Sequence, residues 1–262
     1  MSDERLYLAT DSPPREPAAL ADDFTPALIT QANHHLCGGC GEPIAIRAAM
    51  EAVEELQLAP RAITVFGIGC YTAFAHNLDV EVVQALHGRA PSVATGIKRM
   101  LPDGFVLTVQ GDGDMVNEGL QEVLHAAARG ESITCLLLNN GVFGETGGQM
   151  TATTALGQRT KTSIEGRDPH QHGHPILLSD LAAALEGAAY VARCAVNNAG
   201  NVARTKRCIT RAFESQMAGA GFSLVEILTM CPTGWFVDTL EGPGYLKDNL
   251  APVHRIGELK AP

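Results

Sequence analysis

The sequence predicts an α/β fold built on a doubly wound, mostly parallel sheet. Three observations carry that prediction. The runs FVLTVQ (105–110), ITCLLL (133–138) and FSLVEILTM (222–230) are almost wholly apolar, as strands buried on both faces of a parallel sheet are. Helical segments separate them, which is the alternation of doubly wound proteins. At 262 residues the chain is long enough to bury one large core.

Taken in order, residues 1–33 are rich in Pro and Asp and poor in periodicity, and read as an extended arm. From Glu42, EPIAIRAAMEAVEELQL sets Ile44, Ala48, Val53 and Leu56 at roughly helical spacing. AITVFGIG (62–69) is the first strand, 105–110 the next, and 117–129 a helix leading to the strand at 133–138. Residues 141–178 form a long irregular region, and such a loop inside a compact domain is usually functional. AAALEGAAYVARC reads as a helix turning into a strand, 201–218 as a helix, and 222–230 as the last strand. The expected organisation is an arm (1–33), an α/β domain (34–240) and a Pro/Gly-broken tail (241–262) that serves as an interface segment.

Lys and Arg total 19 against 29 Asp and Glu, a net charge of −10, with no basic stripe along the linear sequence. This argues against nucleic acid and anionic membrane as partners. No apolar run approaches the roughly 20 residues of a membrane span, and the N-terminus lacks the basic-then-apolar pattern of a signal peptide. A cytoplasmic address is therefore expected, where thiols stay reduced. The seven cysteines then point to metal binding or buried packing rather than disulfides.

The most informative stretch is FVLTVQGDGDMVNEGLQEVLHAAARGESITCLLLNNGVFGETGGQ. A strand ends at Gln110, and Gly111-Asp112-Gly113-Asp114 turns into a helix whose free N–H groups suit an anionic phosphate. Asp112 adds a hard carboxylate oxygen, the kind Mg²⁺ prefers. Asn140 stands 28 positions beyond Asp112, enough chain for two adjacent parallel strands joined by a helix. The ends of such strands are where open α/β sheets bind ligands. A calcium loop starting at Asp112 would need Gly and Glu where Asn117 and Val123 stand. The plain alternative is a Gly/Asp turn with no ligand.

This spacing resembles the thiamine-diphosphate signature, GDG followed after nearly thirty residues by Asn. The segments CGGCGEP, GIGCYTAF, LHGRAPSVATGIKR, GDGD…NN, FGETGGQM and EILTMCPTGW occur in this order. Together they resemble the β subunit of 2-oxoacid:ferredoxin (acceptor) oxidoreductases over about residues 34–236, and their wording leans to the branched-chain or broad-specificity type. The resemblance implies a diphosphate-type thiamine-diphosphate-binding domain. In it Asp112, Asn140 and the carbonyl of Val142 hold Mg²⁺. Gly69, Cys70, Tyr71, His87, Gly111 and the Gly113-Asp114 backbone meet the diphosphate, and Gly144, Glu145 and Thr146 lie nearest the thiazolium. Glu145 stands where an apolar residue is expected. It reads either as a solvated loop carboxylate or as a general acid/base or polarity filter disfavouring anionic substrate tails.

Cys37-Gly-Gly-Cys40 by itself fits zinc, a redox pair, an iron–sulfur site or loop packing. The chain has no second CxxC for a zinc ribbon, and Gly-Gly is not typical of a dithiol active site, which leaves a pair needing two more soft ligands. Cys135, Cys194 and Cys208 read as small hydrophobes or neutral fillers. Cys70 and Cys231 sit at strand ends beside loops. The resemblance assigns a 4Fe–4S cluster to Cys37, Cys40, Cys70 and Cys231. It also implies coenzyme A as co-substrate, ferredoxin or another acceptor, an α subunit supplying the pyrimidine-binding domain and its activating glutamate, and γ/δ subunits. Two further readings stay open here: a non-oxidative thiamine-diphosphate decarboxylase subunit, and a non-catalytic iron–sulfur electron-transfer subunit.

Overall fold

The apolar runs become the centre of one seven-stranded sheet in the computed structural model, which describes residues 26–31 and 34–261. In chain order the elements are α1 (Glu42–Glu55), β1 (Ala62–Phe66), β2 (Glu81–Gln84), α2 (Ala90–Met100), β3 (Phe105–Gly111), α3 (Leu120–Arg129) and β4 (Thr134–Asn139). A small hairpin of β5 (Val142–Phe143) and β6 (Gln149–Met150) follows. Then come α4 (Pro169–His172), α5 (Leu178–Ala183), β7 (Ala188–Ala195), α6 (Ala199–Met217), β8 (Phe222–Leu228), α7 (Pro232–Trp235), α8 (Gly242–Tyr245) and β9 (Gly257–Lys260).

Strand order is β2-β1-β3-β4-β8-β7-β9, parallel throughout except for β9. Successive residues of a strand face opposite sides, and the core divides accordingly. Leu107, Val109, Leu136, Leu138 and Ile227 pack with α1 and α6. Val106, Cys135, Leu137 and Leu224 pack with α2, α3 and α5. Every residue of β4 and β8 is buried, which is why those runs are apolar without alternation.

The expected strand at 62–69 stops at Phe66, because Gly67 and Gly69 carry the chain into the loop of the crevice described below. The helix at 117–129 begins at Leu120, after a wider turn over Gly113–Glu118. β2, α2 and β9 have no counterpart in the sequence reading. Residues 241–261 also join the domain: Leu246 and Leu250 are fully buried, and β9 pairs with β7 along the sheet edge. The arm expected over 1–33 falls outside the described residues except for 26–31, where Ile29 bridges to Leu78. Among the described residues no helix is long and apolar enough to cross a membrane.

Candidate functional site

From β1 the chain steps outward to β2, then returns to the other side of β1 for β3 and β4. The reversal opens a crevice at the carboxyl ends of β1 and β3, the place where such sheets bind ligands. Register places Gly111 opposite Leu138, so the turn after β3 stands beside Asn139 and Asn140. The loops converge on a cavity of about 110 Å³ lined by Glu42, Ile68, Gly69, Cys70, Tyr71, His87, Gly111, Asp112, Gly113, Asp114, Asn140, Val142, Phe143, Gly144, Glu145 and Thr146. Every residue the sequence pointed to for the diphosphate, its metal or the thiazolium lies in this lining.

The two aspartates of GDGD do different work. Asp114 ties three loops together. It accepts hydrogen bonds from the Tyr71 hydroxyl (2.6 Å), the Ile68 N–H (3.2 Å), Gln110 Nε2 (3.1 Å) and the Gly88 N–H, with His87 Nδ1 at 3.3 Å. A Cβ on Gly67 would fall 1.6 Å from the Asp114 carboxylate, so only glycine lets the β1 loop come this close. Asp112 is the group aimed at the crevice. It is buried, and Thr151 and Thr153 each donate to its Oδ2 at 2.5 Å. Burial pushes its pKa up, and these two hydroxyls with the N–H groups of Asp112 and Asn140 only partly oppose that shift.

Asn140 is held from both ends. Its Oδ1 accepts from the Val142 N–H at 3.0 Å, and its carbonyl accepts from Trp235 Nε1 at 2.8 Å. The neighbouring Asn139 donates to the buried Glu226 at 2.7 Å and accepts from the Gly141 N–H at 3.1 Å. The carboxylate of Asp112, the amide oxygen of Asn140 and the Val142 carbonyl are a hard-oxygen donor set of the kind Mg²⁺ takes when phosphate and water complete its shell.

A second cavity of about 180 Å³ abuts the first, and Cys37, Cys40, Cys70 and Cys231 all line it. They arrive from the turn before α1, the loop after β1 and the segment after β8. A Cβ on Gly144 would lie 3.5 Å from Cys231 Sγ and 3.6 Å from Cys70 Sγ, so these two thiols meet across that glycine. Burial raises the thiols of Cys40 and Cys70 strongly, and that of Cys231 to about 12, and the Glu42 charge adds to each shift. Among the described residues no three His, Cys, Asp or Glu side chains converge on a single ion. Four thiols spread around a cavity suit a polynuclear centre, in which each binds its own metal.

Several residues that shape the site escaped the sequence reading. Glu42, expected only to start a helix, is buried and lines both cavities. Its Oε2 has no hydrogen-bond partner, and burial, with Asp112 and Glu145 nearby, raises its pKa to about 8. Thr151, Thr153, Trp235 and Glu226 act on Asp112 and the Asn-Asn pair from remote positions in the chain. Glu226 and Trp235 bound the motif EILTMCPTGW, whereas no local pattern marks the two threonines. Thr146 lines the crevice, but its hydroxyl donates to Gln149 at 2.7 Å. Glu145 is exposed yet borders both cavities.

The chain is similar to several known proteins. The family model for the C-terminal TPP binding domain of thiamine pyrophosphate enzymes matches residues 67–227. A ketoisovalerate oxidoreductase subunit VorA of Methanothermobacter thermautotrophicus is 38% identical over 216 residues, covering 82% of this chain and 45% of that protein. The chain thus spans about half the length of the ketoisovalerate relatives it matches. The 2-oxoglutarate synthase subunit KorB of Archaeoglobus fulgidus is 37% identical over 213 residues, covering 81% of this chain and 75% of that protein. The solved 2-oxoglutarate:ferredoxin oxidoreductase from Magnetococcus marinus, with 2-oxoglutarate, coenzyme A and succinyl-CoA bound, superposes with a TM-score of 0.73 at 27% identity, over 87% of this chain and 74% of that one. The chain belongs to the thiamine pyrophosphate enzymes, among the 2-oxoacid:ferredoxin oxidoreductase subunits that carry the C-terminal TPP binding domain.

Proposed function

We propose that this chain is the β subunit of a CoA-dependent 2-oxoacid:ferredoxin (acceptor) oxidoreductase, which oxidatively decarboxylates a 2-oxoacid. The observation that carries the reading is the contact between the crevice and the four-cysteine cavity, which share Glu42, Cys70, Asn140, Gly144 and Glu145 as common walls. When bound, thiamine diphosphate supplies an electron sink for loss of CO₂, and a 4Fe–4S cluster supplies a one-electron outlet.

The chain's own part is binding and positioning. Asp112, Asn140 and the Val142 carbonyl would hold Mg²⁺ beside the diphosphate. The backbone N–H groups of the turn at Gly113-Asp114 and the side chain of His87 would bind the phosphates. Asp114 fixes the loops of Gly69 to Tyr71 and of His87 around them. Cys37, Cys40, Cys70 and Cys231 would hold the cluster, and Cys70 lines the walls of both cavities. The activating glutamate and the pyrimidine-binding half come from an α subunit, with γ/δ subunits and ferredoxin or a similar acceptor as further partners.

Glu145 puts an exposed carboxyl group on the wall of the crevice, which disfavours a substrate with a second carboxylate. The substrate class is accordingly a 2-oxoacid with an uncharged tail, in keeping with the branched-chain or broad-specificity type that the motifs resemble. Anaerobic co-purification with the α subunit tests the whole reading. Iron and sulfide of about four each per chain, with stoichiometric thiamine diphosphate, are the expected result. Iron without thiamine diphosphate, or the reverse, would overturn it. Glu145→Gln should raise kcat/KM for 2-oxoglutarate relative to ketoisovalerate, and an unchanged ratio removes Glu145 from the specificity argument.

A further inference from the structure

Folding gathers a basic surface that the linear sequence does not show. A cavity of about 280 Å³ opens at the sheet edge carried by β7 and β9, across the sheet from the crevice at β1 and β3. Its wall consists of Arg204, Arg207, Cys208 and Arg211 of α6, Arg193 of β7, and Gly257 and Glu258 of β9. The three α6 arginines are spaced by three and four residues, so they lie on one helix face, where like charges repel.

The charges are unevenly matched. The Arg193 guanidinium is committed to Glu226 and Asp180, and Arg211 pairs with Glu258. Arg204 and Arg207 form no ion pair among the described residues. On the other flank of the same helix Lys206 is bridged to Glu51 at 2.9 Å and Glu55 at 2.6 Å. Acidic residues therefore neutralise α6 away from the cavity and leave it cationic toward the cavity, in a chain of net charge −10. Guanidinium forks match phosphate oxygens two at a time. The volume is near the lower end for small-molecule sites, and among the described residues no aromatic ring lines it to stack a base.

We propose that this cavity binds a phosphate-bearing small anion, with Arg204 and Arg207 as its principal ligands and Arg211 as a third contact shared with Glu258.

The test is equilibrium dialysis of radiolabelled inorganic phosphate against the assembled complex, saturated with thiamine diphosphate and Mg²⁺ so that the crevice is already filled. Saturable binding that weakens as chloride is raised is expected. Arg204→Gln/Arg207→Gln should weaken it by about tenfold or more, while Lys206→Gln on the other flank leaves it unchanged, with thiamine diphosphate content intact in both. Absence of saturable binding to the wild type, or equal affinity in the double variant, would overturn the proposal. So would phosphate binding by the free chain that vanishes in the complex, which would mark the face as an acidic partner's contact instead.

Discussion

Glu226 on β8 is 1% exposed and stands at the centre of a buried polar network. Its carboxylate accepts from Arg193 Nε at 2.8 Å, Ser179 Oγ at 2.5 Å and Asn139 Nδ2 at 2.7 Å, and faces His254 Nδ1 at 3.3 Å. Burial alone would push its pKa up. The neighbouring His254 ring, the Arg193 guanidinium and the Ser179 hydroxyl outweigh burial and hold it far below the ordinary carboxylate range. Glu226→Gln removes the charge and leaves Arg193, itself 2% exposed, with Asp180, which is 47% exposed and screened by solvent. Removing one partner of a buried pair destabilises by about 3–5 kcal/mol. For a domain of this size each kcal/mol moves Tm by roughly 2–4 °C, so a fall of roughly 6–20 °C is expected in a thermal melt at pH 7. Since Asn139 shapes the loop carrying Asn140 and Val142, thiamine diphosphate affinity should fall as well.

The pH dependence has a definite sign. A carboxylate depressed in the folded state stabilises fully above its unfolded pKa, near the ordinary 4.5, and loses that contribution as pH drops below it. The gap in stability between wild type and Glu226→Gln should therefore be full at pH 6–7 and narrow below about pH 4.5. A Tm change under about 2 °C at pH 7, or a gap that widens in acid, would refute the reasoning.

Three other changes probe the site directly. Thr151→Val and Thr153→Val take away the hydroxyls that orient Asp112; Mg²⁺ affinity, read by titration in the presence of thiamine diphosphate, should fall roughly 10–100-fold with the fold intact. A Cβ on Gly113 would stand 2.2 Å from the Phe143 ring, so Gly113→Ala should destabilise by about 1–3 kcal/mol and weaken cofactor binding. Phe143→Leu in the same chain should recover much of both, and no recovery would show that the clash lies elsewhere. Cys231→Ser should lose the iron–sulfur absorbance of the anaerobic protein, whereas Cys135→Ser, buried in β4 away from the cavity, should keep it.

What the chain reveals of itself depends on how far apart in sequence the cooperating residues are. The central strands are legible because burial on both faces leaves an unbroken apolar run, and one short segment suffices to show it. β2 and β9 lie at the two edges, where solvent takes part of each strand and GELK or EVVQ carries no clear signal. α2, with Gly96 and three β-branched residues in eleven, has weak helical propensity and forms by packing on β3 and α3.

The Gly-Asp-Gly-Asp turn, the Asn-Asn pair and the CxxC were visible because each compresses its chemistry into a few consecutive positions. The alternation of strand and helix was enough to place their turns at one end of a sheet. Only the tertiary structure decided that Asp114 braces loops while Asp112 faces the crevice, or that Thr151 and Thr153 orient it. The same holds for Glu42 standing orphaned between two cavities and for Glu226 supporting the Asn-Asn pair from β8. It also turned Cys208, a neutral filler in the linear reading, into part of an arginine-lined wall. Local propensity is written residue by residue, whereas these pairings depend on distances between segments far apart in the chain, and those exist only once the sheet has closed its core.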